Sequence, residues 1–121
     1  MSLREFERLV VKALDSLPLP IRHRMDNLDV VVGEWPSLDD LEEAGLDDRH
    51  DLFGLYHGIP LTERTHYDMA LPDKITIFQR PIEAACATRA DVVKEVRVTV
   101  IHEVAHHFGL SDAELDQTEY G

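Results

Sequence analysis

At 121 residues the chain is the size of one domain, spanning 1–121, and its composition of 44% hydrophobic and 30% charged residues excludes disordered and fibrous classes. A formal charge of −12 removes the basic surface with which proteins hold nucleic acid or anionic membranes, so neither is expected as a partner. The single cysteine, Cys86, rules out an internal disulfide, and no apolar run approaches the roughly 20 residues that cross a bilayer.

In chain order, residues 1–7 are amphipathic and acidic, without the apolar core of a signal peptide, and a cytoplasmic location is expected. Ser2 can cap a first helix, with Glu5 completing a capping box, and apolar residues follow helical spacing from Leu3 to Leu17, where Pro18 intervenes. Residues 20–25 add one short turn. Residues 28–33 (Leu-Asp-Val-Val-Val-Gly) are β-branched and predict a buried strand. Ser37 opens a short acidic helix to about Ala44. Between Leu28 and Asp51 nine acids face one base, Arg49. The plainer reading is a solvated acidic loop; the sharper one is a rim that attracts cationic peptides.

A second strand is predicted over 51–57, ended by Gly58 and Pro60, and irregular chain over 62–71. Pro72-Asp73 turns into a third strand over 74–79, whose apolar residues alternate. Residues 81–86 suit a helical turn. Thr88 then caps the last long helix, with Asp91 at the third position, and that helix is expected to reach Phe108, with Gly109 as a left-handed stop. The order α, β, β, β, α predicts a small α+β domain whose sheet is covered by helices.

The last helix carries the chemistry. His102-Glu103-Val104-Ala105-His106 is an H-E-x-x-H pattern, and residues four apart lie one turn above another on one helix face. Both imidazoles can therefore reach one zinc ion at about 2.0–2.1 Å. Glu103 sits about 100° around the helix from His102, beside the metal and able to touch a water there without becoming a ligand. Val93, Val100, Ile101, Val104, Ala105 and Phe108 fall on the opposite side and are expected to pack on the sheet. His107 points elsewhere, about 120° from the midpoint of the pair. It is excluded as a ligand and assigned to a pairing with Glu103 or a polar surface role.

Two histidines are too few for a catalytic zinc, which takes three protein ligands and a water. Gly109 lets the backbone fold back under the helix, and Asp112 can then return towards the metal as an oxygen ligand. An H-E-x-x-H alone fixes only three residues; the glycine and a terminal ligand at set offsets make the signal specific. The plainer reading is a histidine-rich exposed helix with no metal.

The run His102-Glu103-Val104-Ala105-His106-His107-Phe108-Gly109-Leu110-Ser111-Asp112 resembles the H-E-x-x-H-x-x-G-x-x-D form of the zincin metallopeptidase motif. It is similar in particular to the small bacterial zincin-like metallopeptidases, a minimal family of about this length. The resemblance extends upstream through Gly54-Leu55-Tyr56-His57-Gly58-Ile59-Pro60-Leu61-Thr62-Glu63-Arg64 and Pro72-Asp73-Lys74-Ile75. It implies a zincin-like fold with a small mixed sheet, zinc at His102, His106 and Asp112, and Glu103 as the base. One departure is the methionine turn of the larger metzincins: Met25 and Met69 both lie upstream, and none of the nine residues after Asp112 is methionine.

The reaction so implied is hydrolysis of a peptide or protein substrate, which in zincins lies extended along the edge strand above the helix. Residues 52–57 are the candidate for that strand, with recognition by added-strand pairing. Tyr56, His57, His66 and Tyr67 are candidates for a second oxyanion donor, each weighed against a purely structural place. Arg64 more readily pairs with an acid than binds a substrate carboxylate, and Cys86 suits a small buried hydrophobe. The competing readings are a non-catalytic zinc-stabilised module that binds a protein partner, and a fold whose histidines are surface accidents. Oligomeric state is left open.

Overall fold

The computed structural model of the chain describes residues 1–22, 25, 28–58 and 73–108. Helix α1 (Leu3–Asp15) starts at Ser2, whose hydroxyl accepts from the Glu5 amide at 3.1 Å. The carboxylate of Glu5 accepts instead from Arg89 at 3.3 Å, so an ion pair to the last helix replaces the reciprocal half of the expected box. The helix stops two residues before Leu17 because the Ser16 hydroxyl takes the Ala13 carbonyl at 2.6 Å and Pro18 cannot continue the ladder. Leu17 is still buried. A single turn, α2 (Leu19–Arg22), follows.

Strand β1 (Leu28–Gly33) has the predicted bounds. It alternates rather than being buried throughout: Asp29 and Val31 are exposed while Leu28, Val30 and Val32 pack on the core. Helix α3 (Leu38–Ala44) carries the complete capping box, Ser37 and Asp40 bonding each other's backbone at 3.1 and 2.9 Å. Gly45 ends it at φ 72°, the left-handed geometry favoured by glycine. The second strand is shorter than expected. Asp48 caps a 3₁₀ turn over Arg49–Asp51, so strand β2 begins only at Gly54 and runs to His57. Strand β3 (Asp73–Phe78) and helix α4 (Gln79–Ala85) each begin ahead of the predicted bounds. Helix α5 (Arg89–His107) starts at its expected cap, Thr88, and ends one residue short of the expected Phe108, which forms its C-cap.

The sheet order is β1-β3-β2, with β1 parallel and β2 antiparallel to the central β3. The period-two pleat divides its faces. Asp73, Ile75 and Ile77 of β3, with Gly54 and Tyr56 of β2 in the facing register, look towards α5. Phe78 and Leu55 look the other way, where they form a smaller cluster with Leu41 of α3 and with Leu52. The main core joins Phe6, Val10 and Ala13 of α1, Ile75 and Ile77, and Val96, Val100 and Val104 of α5. Each of the Phe, Val and Ile side chains among them contributes about 1.5–3 kcal/mol on burial.

Helix α5 is phased a little differently from expectation. Val92, Val96, Val100 and Val104 form its buried row, whereas Val93, 100° round from Val92, is 39% exposed. The helix is thus wedged between α1 and the sheet, with one long flank left for the metal-binding pattern. Among the described residues, no helix is long and apolar enough to cross a membrane.

Candidate metal centre

His102, Glu103 and His106 come together as the spacing requires, each offering a nitrogen or oxygen, all within 4.8 Å of one another. The two imidazoles stack edge to face at 4.7 Å between ring centres and are half-buried, whereas Glu103 is only 6% exposed. Its Oε1 lies 3.4 Å from Nδ1 of His106. Two imidazoles and a carboxylate form a donor set suited to zinc and its first-row neighbours. The residues therefore fit a metal. The carboxylate's burial and its contact with a ligand-type ring also fit a group working beside one.

What buries Glu103 is the edge strand. A Cβ at Gly54 would stand 2.8 Å from Cγ2 of Thr99 and 3.0 Å from Cγ of Glu103, so glycine lets β2 close down on α5 at this point. An open cleft of about 240 Å³ lies alongside, between residues 51–54 and the α5 residues Glu95, Thr99, His102 and Glu103. Asp51 and Glu95 give its rim two carboxylates. Among the described residues β3 is the one sheet neighbour of β2.

His107 needs correcting. It does turn away from the pair, but it neither meets Glu103 nor lies at the surface. It is 1% exposed, and its Nδ1 lies 2.8 Å from Oδ2 of Asp73. With Asp73 ionised the carboxylate only accepts, and this ring nitrogen is then the donor. The same oxygen accepts from the Tyr56 hydroxyl, which occupies one oxyanion candidate. A second, His57, pairs with Glu43 of α3 at 2.6 Å on the far face of the sheet. Asp112 lies outside the described residues, as do Gly109, Arg64, His66 and Tyr67.

Sequence reasoning missed Asp73 and Gly54, although signals existed. Counting back in twos from Ile77 and Ile75 along β3 lands on Asp73, which places a carboxylate on the core face. Counting forward from Val100 and Val104 by seven and three places His107 on the buried row of α5.

Residues 25–121 match the zincin-like metallopeptidase family. Among curated proteins, none matches the chain. A conserved hypothetical protein from the bacterium T. thermophilus shares the fold with a TM-score of 0.59 at 19% identity, over 89% of this chain and 94% of that one.

Proposed function

The chain belongs to the zincin-like metallopeptidase family, and we propose that it is a zinc-dependent peptidase in which His102 and His106 hold the metal, Asp112 completes the ligand set and Glu103 is the general base. The observation that carries this reading is the Glu103 carboxylate, almost fully buried under Gly54 yet within reach of both imidazoles, on a residue that lines the open cleft together with His102. A bound zinc ion supplies Lewis acidity, towards water and towards the substrate carbonyl.

The chain's own residues do the rest. Packing of α5 on the sheet and α1 fixes the helix, so the two imidazoles are presented from a rigid support. Glu103 takes the proton of the attacking water and passes it to the departing amine. The peptide or protein substrate adds as a strand to the outer edge of β2, its main chain pairing with residues 54–57. The charge of −12 sets nucleic acid and anionic membrane aside as partners, and a cytoplasmic site of action fits the lone cysteine.

The test is cleavage of a peptide library by the native chain and by Glu103→Ala, with zinc measured in both after purification without added metal. Zinc near one per chain in both, with cleavage lost in the variant, is the expected result. Equal cleavage by both overturns the catalytic role of Glu103. Zinc retained with no cleavage by the native chain identifies instead a non-catalytic zinc-stabilised module that binds a protein partner. Absence of zinc from both overturns the metal site.

A further inference from the structure

Three secondary-structure elements meet at one buried oxygen behind the candidate metal centre. Oδ2 of Asp73, in the first residue of β3, accepts from the Tyr56 hydroxyl of β2 and from Nδ1 of His107 at the end of α5. Asp73 is 3% and His107 1% exposed, and the Tyr56 and His107 rings stand 6.0 Å apart, tilted by 53°. The space around this carboxylate is also prepared by the backbone. Gly58, just past β2, has φ 151°, and a Cβ there would collide with Oδ1 and Cγ of Asp73. Glycine is thus required at position 58 both for its dihedral and for the room that Asp73 occupies.

The cluster's cost and its location argue for a purpose. Placing a carboxylate in a core requires charged hydrogen bonds to offset the lost hydration; an apolar residue in phase with Ile75 and Ile77 would avoid that cost. The bonds it makes lead to the two elements the catalytic reading depends on. One anchors the residue next to His106, in the last turn of α5, where backbone carbonyls run out of intrahelical partners and helices fray. The other holds the side chain of Tyr56, in the edge strand beside Glu103.

We infer that Asp73 is a positioning residue: its carboxylate ties the last turn of α5, which carries His106, to strand β2, so that the imidazole and the edge strand keep one fixed separation. This rests on the metal-peptidase reading for its consequence, though not for the tie itself. Asp73 touches neither metal nor substrate. It acts through His107 on one side and Tyr56 on the other.

Two measurements separate the tie from its consequence. Amide exchange in the metal-free chain reads the tie. Asp73→Ala is expected to speed exchange at least about tenfold both at residues 104–107 and at 54–57, which lie in different elements. Cobalt(II) titration followed by its visible absorption reads the consequence, with affinity falling about tenfold, the lower end for a residue supporting a ligand from outside the coordination shell. Asp73→Asn, which keeps an acceptor of the same shape, should recover most of both effects. Val10→Ala, in the core between α1 and α5 and with no side-chain bond to the cluster, supplies a control of comparable instability.

Tyr56→Phe removes the hydroxyl from which Asp73 accepts and keeps the test standing should Asp73→Ala not fold; it should loosen 54–57 and leave 104–107 near native. Exchange changed no more than in Val10→Ala, or unaltered at 54–57 in Tyr56→Phe, overturns the tie. Faster exchange with unchanged cobalt affinity overturns the positioning role while leaving the metal reading intact. A native chain that takes up no cobalt overturns the metal reading and, with it, the positioning role.

Discussion

A single methyl group at position 54 has almost nowhere to go, because the space it needs is held by Thr99 Cγ2 and by the stem of Glu103. Overpacking of this kind costs about 1–3 kcal/mol, and here it would also push the proposed base. Gly54→Ala is expected to lower unfolding free energy by about that amount in denaturant titrations and to reduce cleavage. Thr99→Ser removes the nearer obstacle, so Gly54→Ala/Thr99→Ser should recover about 0.5 kcal/mol or more beyond additivity. Strict additivity would show that strand and helix simply move apart. Cys86 permits a second test at this scale. Burial, then the Glu95 and Asp91 carboxylates, raise its thiol above the ordinary value of 9.0. The thiolate is the reacting form, so alkylation by iodoacetamide at pH 7.5 should be slower than for an exposed cysteine. Glu95→Gln should speed it. An equal rate in both would remove the electrostatic part of the explanation.

Among the elements, the 3₁₀ turn before β2 is held by one exposed carboxylate. Asp48 accepts from the His50 amide at 2.9 Å and from its ring Nδ1 at 2.8 Å, and Arg49 stacks 4.1 Å over Trp35. The backbone bond first, then the ring, lowers the Asp48 carboxyl below its ordinary 3.8. A lowered carboxyl stabilises the fold above its unfolded pKa, and that contribution disappears as pH falls through the folded value. Carboxyl carbon NMR should therefore show Asp48 titrating below pH 3.8, and His50→Ala should move its midpoint upward. A midpoint that stays put would mean that the ring bond does not form in solution.

This turn also shows where sequence reading reached its limit. An apolar stretch after Asp51 looks like strand from its first residue, but the capping geometry of Asp48 delays β2 to Gly54. Local signals fared well wherever the cause was local: the bounds of β1, the Thr88 cap of α5, and the meeting of His102, Glu103 and His106, which needs only a helical repeat. The sheet order β1-β3-β2 rests on pairing Leu28 with Asp73, far along the chain, and the Asp73–His107–Tyr56 cluster joins residues 17 and 34 positions apart. No local propensity encodes such pairings. The error at Val93 has a similar origin, since the centre of a helix's buried row is set by the neighbours it packs on, here α1 and β3.

For the molecule as a whole, metal binding and folding are one linked equilibrium under the proposed function. His102 and His106 sit on one helix, and Asp112 is six residues beyond the second, so the ion would close only short loops of chain. Its stabilisation would come from binding the native state rather than from cross-linking distant elements. At a free zinc concentration a hundredfold above Kd that amounts to about 2.7 kcal/mol, which for 121 residues corresponds to about 10 °C in Tm. Scanning calorimetry of the zinc-loaded chain with and without a chelator should show a loss of this order. Glu103→Gln should keep the full zinc-dependent shift, because the base is not assigned as a ligand. Asp112→Ala should lose most of it, and His106→Ala all of it. If Asp112→Ala retains the native shift, the third ligand comes from elsewhere in the chain. If Glu103→Gln loses it while Asp112→Ala does not, the buried carboxylate is a ligand rather than the base. The two acidic roles would then have to be exchanged.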